Sequence, residues 1–593
     1  MSLSRREFIR IMGLASAAGL FPQSVFAQRK QPSDFYETPK FGNVRILHMT
    51  DCHAQLMPVY FREPNVNLGV GSMWGKPPHL VGHAFLKYYG IQPGTREAHA
   101  FTFLNFEEGA KKYGKVGGFA HLATLVKRAR AEAGPGHSLL LDGGDTWQGS
   151  ALSFKMRGRD MVQACNQLGV DIMTGHWEYT YTEQEVIDNI QAFKGEFVAQ
   201  NVFVREDALF DYAFADFPGF DEDSGRAFKP YTLREVGGVK VAVIGQAFPY
   251  TPIANPQRFI PDWTFGIRDE EMQALVDEIR ENEKPDAVVV LSHNGMDVDL
   301  KMASIVRGID VIFGGHTHDG VPQAVKVKNS GGVTLVTNAG SNGKFLGVMD
   351  LDVGKGRVRD FRFRLLPVFS NLLDPDPEMS ALLKKLRAPH EKWLGEELAV
   401  ADETLYRRGN FNGTFDQVIC DALREQNDAQ IALSPGFRWG TTVPAGHPIT
   451  VENVHDQTSI TYPETYRREM TGAELKTILE DVCDNLFNKD PYYQQGGDMV
   501  RVGGMDYVCD PTQEIGRRIS DMQLDDGTPI DPQKKYVVTG WATVGARSPG
   551  PAVWDQVIAY LKDKKTVRIG KLNTPKLKGV KGNPGVEAYP YLL

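Results

Sequence analysis

Thiols are scarce in this chain. Its 593 residues include five cysteines (Cys52, Cys165, Cys420, Cys483 and Cys509), and none stands at CxxC or another metal-binding spacing. This excludes a thiolate metal cluster. In an oxidising compartment one or two pairs could bridge, and the odd count leaves at least one thiol free. Excess charge of one sign is also missing: Lys and Arg total 66 against 74 Asp and Glu, a formal net charge of -8. No basic patch dominates, which argues against nucleic acid as an electrostatic partner. Beyond the N-terminus no segment is long and apolar enough to span a membrane, and there are no internal repeats or low-complexity tracts. The length allows at least two domains and a large buried core.

The first residues read as an address. Ser4-Arg5-Arg6-Glu7-Phe8-Ile9-Arg10 resembles the twin-arginine export signal. A modest apolar run over 11–21 follows, then Val25-Phe26-Ala27, a small-residue cleavage pattern. The run is shorter than the roughly 20 apolar residues of a membrane anchor. The expectation is a signal peptide over 1–27, cleavage after Ala27 and a soluble periplasmic product.

What is present is one arrangement repeated along the chain. Residues 309–320, IDVIFGGHTHDG, begin as a short apolar run and end in His316-Thr317-His318. In an extended loop, residues two apart point the same way with Cβ atoms roughly 6–7 Å apart. Both imidazoles could therefore serve two metal ions roughly 3.5–4 Å from each other. The run at 44–49 ends in Asp51 and His53, that at 138–141 in Asp142 and Asp145, that at 170–174 in His176, and that at 286–291 in His293. In open α/β sheets, ligand sites lie beyond the carboxyl ends of the strands. Five strand ends with the same chemistry point to a metal site. Carboxylates and imidazoles without thiolates suit Mn, Fe, Co or Zn with one carboxylate bridging. Such a pair lowers the pKa of a bound water and clamps an oxyanion, so the expected chemistry is hydrolysis of a phosphate-like or sulfate-like group.

Other elements are coarser. Residues 55–113, rich in Gly, Pro and aromatics with little periodicity, read as an ordered excursion near the site. A helix is expected over 116–131, and another after Thr182, which has the capping-box spacing with Glu185. The 371–377 stretch NLLDPDP marks a domain edge, with an amphipathic connecting helix over 379–394. A second unit starts near Ala399. It has helices at about 415–426 and after Thr471, a turn at Ser434-Pro435-Gly436-Phe437-Arg438-Trp439, and a strand at 536–539.

The ordered motifs DxH, GGDTWQG, GxxE, SHNG and GGHTH, with Asp421-Ala422, Pro448-Ile449-Thr450 and Met470-Thr471-Gly472-Ala473-Glu474-Leu475 in the second unit, resemble the 5′-nucleotidase family of metallophosphoesterases. That resemblance implies a metallophosphoesterase-like αββα sandwich over 40–370 with an insertion at 55–113. It further implies a linker helix at 371–398 and a nucleotidase-type α/β substrate domain over 399–593. It also implies Asp51, His53, Asp145 and His318 as ligands of one metal, with Asp145 (bridging), His176, His293 and His316 holding the other.

Departures from the family sharpen the reading. Its G-N-H-E-x-D element here reads Gly175-His176-Trp177-Glu178-Tyr179-Thr180. His176 replaces the asparagine ligand, Trp177 the catalytic histidine and Thr180 the aspartate that orients it. The base-stacking GGDGF/Y element reads Gly545-Ala546-Arg547-Ser548-Pro549-Gly550, and the Pro-Phe-Gly-Asn turn reads Ser459-Ile460-Thr461-Tyr462-Pro463-Glu464. The oxyanion-anchoring arginine is kept as Arg438, with Arg407 and Arg408 as further substrate-binding candidates. With the export signal and the long insertion, these departures resemble the SoxB-type thiosulfohydrolase family. The resemblance implies a dimanganese enzyme that hydrolyses a sulfonate from a cysteine S-thiosulfonate on the arm of a carrier protein, SoxYZ, releasing sulfate. Arg438 and Trp177 would then stand at the reacting centre. The alternatives are a periplasmic 5′-nucleotidase or cyclic phosphodiesterase, and a non-catalytic carrier-binding protein with structural metals.

Overall fold

The computed structural model describes residues 35–593. The proposed export signal and the cleavage after Ala27 lie outside the described residues. From Lys40 onward the chain is one compact unit with a two-domain, mixed α/β architecture.

The first domain is built on two six-stranded sheets packed face to face. One sheet runs Val358–Pro367, Phe345–Val353, Val44–Met49, Ser138–Asp142, Ile172–Met173, Glu196–Phe197. The other runs Val325–Asn329, Gly332–Asn338, Val311–Gly314, Ala287–Ser292, Val239–Gln246, Tyr231–Val236. Successive side chains on a strand point to opposite faces, and the burial follows that period. Val289, Leu291, Val311 and Phe313 join Ile46 and Leu141 in the core between the sheets. Val288, Val290 and Ile312 point outward against Met272, Val276, Met296 and Met302 of the helices Asp269–Glu278 and Met296–Ile305. The helix Phe119–Ala133, its Leu122, Leu125 and Val126 buried, borders the first sheet. The result is an αββα sandwich.

Within each sheet the ligand-bearing strands are parallel. Val44–Met49 pairs with Ser138–Asp142, which pairs with Ile172–Met173; Ala287–Ser292 pairs with Val311–Gly314. Their carboxyl ends therefore open on the same side of each sheet.

The structure corrects one local expectation, the connecting helix, and adds detail at two others. The 55–113 excursion carries helices Gly82–Tyr89, Arg96–Phe101 and Phe106–Tyr113, each too short to show a periodic apolar face in the sequence. It is also a strap, because its Val66, Leu68 and Val70 pack in the core of the second domain. The connecting helix divides into Pro377–Arg387 and Glu391–Leu394. Pro389 lies in the gap, and its missing N–H and fixed ring end a helix there. All five cysteines are free and buried, with Cys483 and Cys509 in contact at Sγ–Sγ 3.7 Å.

The second domain centres on a four-stranded sheet, Thr465–Thr471, Lys535–Trp541, Ile431–Ser434, Arg501–Gly503. It is flanked by helices Thr414–Gln426 and Gly472–Phe487. The latter has the expected capping box of Thr471 and Glu474. Among the described residues no helix is long and apolar enough to cross a membrane.

A buried ion pair fixes the strand that leads to Asp51. Arg45 sits opposite Asp350 across the Val44–Met49 and Phe345–Val353 pair. Its guanidinium grips that carboxylate with two bonds, Nε–Oδ1 2.6 Å and Nη2–Oδ2 2.8 Å. Removing one member of a buried pair leaves the other charge undercompensated, although Arg45 keeps Glu132 at 3.6 Å and Ala129 O at 3.0 Å. Asp350→Ala is expected to lower unfolding stability by about 3 kcal/mol, read from the urea midpoint at unchanged m-value; a shift below a tenth of that would show that Arg45 is solvated by other groups.

Candidate metal centre

The residues expected at the strand ends converge. Asp145, His176, His293 and His316 form one buried group, and Asp51, His53, Asp145 and His318 another; within each, one ligand-type atom per residue lies within 4.8 Å of the others. Asp145 belongs to both. His293 Nε2 lies 3.0 Å from Asp145 Oδ2, and His176 Nδ1 is 3.2 Å from Asp145 Oδ1. His318 Nε2 is 3.2 Å from Asp51 Oδ1 and 3.1 Å from His53 Nε2.

The backbone is bent to achieve this. Asp51, His53, Asp145, His316 and His318 have φ of 53°, 44°, 56°, 72° and 58°. Left-handed backbone is uncommon for residues with a Cβ and costs on the order of 1 kcal/mol or more each. The cost is offset by cross-bonding between the loops: Asp51 N donates to Gly144 O at 2.8 Å and His53 N to Asp145 O at 2.8 Å. His316 N donates to the Asp51 carboxylate at 3.0 Å.

Glu178 is the strongest organiser, and the sequence reading gave it no role beyond a place in the GxxE motif. Its buried carboxylate accepts four backbone N–H groups, from Asp145 (3.0 Å), Thr146 (2.7 Å), Trp147 (3.1 Å) and His176 (2.9 Å). It ties the bridging-aspartate loop to the His176 loop. A buried glutamate two residues after a ligand, with no cation nearby in sequence, was the available signal.

The electrostatics suit a bound cation. Burial drives His53 down to about 4 and His316 and His318 well below the usual imidazole range, so their lone pairs are free. Burial lifts Asp51 to about 6. Burial also disfavours a charged His293, but Asp145 and Asp51 prevail and hold it up at about 10. Asp145 in turn, despite burial, is kept well below the ordinary carboxylate range by His176 and His293. Two carboxylates that raise a buried imidazole in this way make the site favourable for a bound cation. His176 Nε2 and both ring nitrogens of His316 are buried without a hydrogen bond. Buried polar atoms are normally paired, and donors left open around two carboxylates fit two metal ions.

A cavity of about 260 Å³ opens over the cluster between the domains, bounded by His53, His176, His316 and His318 on one side and Phe437, Arg438 and Trp439 on the other. Arg438 is held by Asp498 (Nε–Oδ1 3.5 Å) with its buried Nη1 unpartnered. Arg408 lies behind the metal loop. Its Nη2 donates to Thr317 O at 2.9 Å, and it borders a neighbouring pocket with His318 and Asp319. Arg407 is a correction to the substrate-binding set. Its three donor nitrogens are taken by Asp416 Oδ1 (2.7 Å), Gln457 O (2.6 Å) and Pro435 O (3.1 Å), so it anchors the turn before Arg438. Trp177 lines the cavity, its backbone N–H donating to Asp145 Oδ1 at 2.7 Å and its ring meeting Trp439 edge-on at 5.1 Å. Thr180 shares a hydrogen bond with Thr461 of the second domain, Oγ1–Oγ1 2.7 Å.

Comparison with known proteins places this site in a lineage. The family described as 5′-nucleotidase, C-terminal domain, matches residues 397–547. The structure of a sulfate thiohydrolase, SoxB, from Thermus thermophilus superposes with a TM-score of 0.84 at 34% identity, covering 94% of this chain and 99% of that one. The trifunctional nucleotide phosphoesterase YfkN of Bacillus subtilis is 26% identical over 504 residues, 78% of this chain but 33% of its own length. The 5′-nucleotidase of Bos taurus is 26% identical over 447 residues, 69% of this chain and 73% of that protein.

Glu178→Gln turns one acceptor into a donor facing backbone N–H groups. Outer partners of this kind are worth about 10- to 100-fold in metal affinity, and a loss of that size is expected in equilibrium dialysis against Mn2+. Wild-type affinity would show that the two loops hold their shape without the carboxylate.

Proposed function

Because the chain belongs to the SoxB-type family within the 5′-nucleotidase superfamily, we propose that it is a thiosulfohydrolase, removing the sulfonate of a cysteine S-thiosulfonate on a carrier protein as sulfate. In this reading the carrier is a SoxYZ-type protein and the compartment is the periplasm, reached by twin-arginine export. The cofactor is a pair of Mn2+ ions held by Asp51, His53, Asp145 and His318, and by Asp145, His176, His293 and His316.

The observation that carries the reading is the absence of a proton donor in the cavity wall. Apart from the cluster itself, the described acidic groups lining the cavity are Tyr462 and Asp498. The Tyr462 hydroxyl donates to Ala254 O. Asp498, despite burial, is held below the usual carboxylate range by Arg438, Arg501 and Arg408. Trp177, where the family's catalytic histidine would stand, cannot transfer a proton. A nucleotidase expels an alkoxide and gains from a general acid; a thiosulfonate expels a persulfide anion, a much weaker base. Attack of a water oxygen on the sulfonate sulfur forms the S–O bond and breaks the S–S bond, whose electron pair leaves on the persulfide sulfur. The water's protons pass to solvent.

Two metal ions, when bound, lower the pKa of water and neutralise charge developing on the sulfonate oxygens. The chain's residues supply the rest. Asp145 shares its carboxylate between the two groups. Arg438 lines the cavity with Nη1 buried and free of a hydrogen bond, and a guanidinium fork suits a tetrahedral oxyanion. Trp177, Phe437 and Trp439 wall the space with aromatic surface and exclude bulk water; the Phe437 and Trp439 rings are stacked at 4.1 Å.

A nucleotidase reading draws on the named relatives, and one assay separates the two. Manganese-loaded protein is expected to release sulfate from carrier-bound thiosulfonate at least a hundred times faster than phosphate from AMP; comparable rates would sink the leaving-group argument. Arg438→Lys keeps the charge and loses the fork. A charged hydrogen bond is worth about 1.5–3 kcal/mol, so kcat/KM should fall about 10- to 100-fold with metal content unchanged, and a wild-type kcat/KM would place Arg438 outside the reaction.

A further inference from the structure

The loop Gln495-Gly496-Gly497-Asp498 of the second domain reaches over the cluster and lines the cavity. Gly496 has φ +80°, and a Cβ built on it would stand 1.9 Å from His316 Nε2, 2.8 Å from its Cε1 and 3.0 Å from its Cδ2. Those three distances put the point on the lone-pair axis of Nε2, at nearly the length of a metal–imidazole bond, about 2.1 Å. An ion on Nε2 would overlap the Gly496 backbone, so Nδ1 is the nitrogen left to face Asp145, His176 and His293.

The other sides of the imidazole are also closed. Phe248 stacks on it with centroids 4.1 Å apart, and a Cβ at Gly295 would lie 3.5 Å from its Cδ2. The loop itself is clamped. Asp498 N donates to Gly436 O at 2.7 Å, and the Asp498 carboxylate holds Arg438. Gly436 belongs to the turn that carries Arg438.

We propose that Gly496 is a positioning residue for the second metal group, its bare backbone abutting His316 so that Nδ1 faces Asp145. The inference rests on the reading that the two groups hold metal ions. It makes the metal group of the first domain depend on a loop of the second: the contact that orients His316 exists only while the two domains are closed together. Glycine is required because any side chain would occupy the Nε2 axis. Through the same loop, Asp498 sets Arg438, so one backbone segment aligns both a ligand and the oxyanion anchor.

A neighbouring glycine provides the control. Gly497 has φ +76°, yet a Cβ there would come no nearer than 3.6 Å to any atom, Gly436 O. Gly497→Ala therefore adds the same backbone strain without touching His316. Full-length protein is loaded with Mn2+ and counted by native mass spectrometry. Wild type and Gly497→Ala are expected to hold two ions per chain and Gly496→Ala one. A second pair does not depend on the loop tolerating a change. The Asn amide oxygen overlays imidazole Nδ1, whereas the Gln amide reaches the position of Nε2. His316→Asn should then bind the second ion at least tenfold more tightly than His316→Gln. Two ions in Gly496→Ala, an equal loss in Gly497→Ala, or a second ion held as tightly by His316→Gln as by His316→Asn each overturns the proposal. A wild-type protein that binds no manganese would instead remove the metal reading on which it stands.

Discussion

One carboxylate, that of Asp145, belongs to both metal groups, and the site depends on how it is held. Its side chain is fixed by the Trp177 N–H and by two histidines. Its backbone is held by Glu178, which bonds the loops on either side. None of this survives in a relaxed chain, since five of the seven candidate ligands adopt left-handed backbone. Parallel strands bring the loops to one place, and buried hydrogen bonds keep them bent there. The sandwich beneath, with inner and outer faces both apolar, supplies the rigidity that makes the bending affordable.

The positions that depart from the nucleotidase pattern have acquired a common use. Trp177 meets Phe437 and Trp439 across the domain boundary and counts among the core side chains of the second domain. Thr180 bonds Thr461 in the segment that replaces the family's Pro-Phe-Gly-Asn turn. Tyr462, beside it, is buried and anchored to Ala254, so it is not available to stack on a base. Trp177, Thr180 and Tyr462 are here committed to packing one domain on the other. The cavity that remains is narrow and aromatic.

Much of the site was legible because strand ends carry their chemistry locally. An apolar run followed by Asp or His can be read without knowing its neighbours, and His316 with His318 needed only the period of an extended chain. The capping boxes at Thr182 and Thr471 were legible for the same reason. Arg407 was misread because its fate is decided by Asp416 and Gln457, whose proximity no spacing reveals. Glu178 was overlooked because its partners are backbone N–H groups, which leave no trace in residue identity. The helices of the 55–113 excursion are short and draw stability from what they pack against. Pro389 stands inside the amphipathic stretch 379–394, and its ring ends a helix that apolar spacing alone would extend.

The strap formed by the excursion has a consequence for how the chain comes together. Val66, Leu68 and Val70 complete a core that also contains Leu577 and Val580, and Asn65 bonds Ala588, 523 positions later. A segment made early therefore gains part of its packing only from residues made much later. Such distant contacts slow folding, because loop closure must precede any gain from burial. In a growing chain Val66, Leu68 and Val70 would stay exposed until the second domain is made. Loss of residues 586–588 would therefore be felt near residue 66, where Val586 pairs with Val66 and Glu587 N donates to Asn65 O at 3.0 Å.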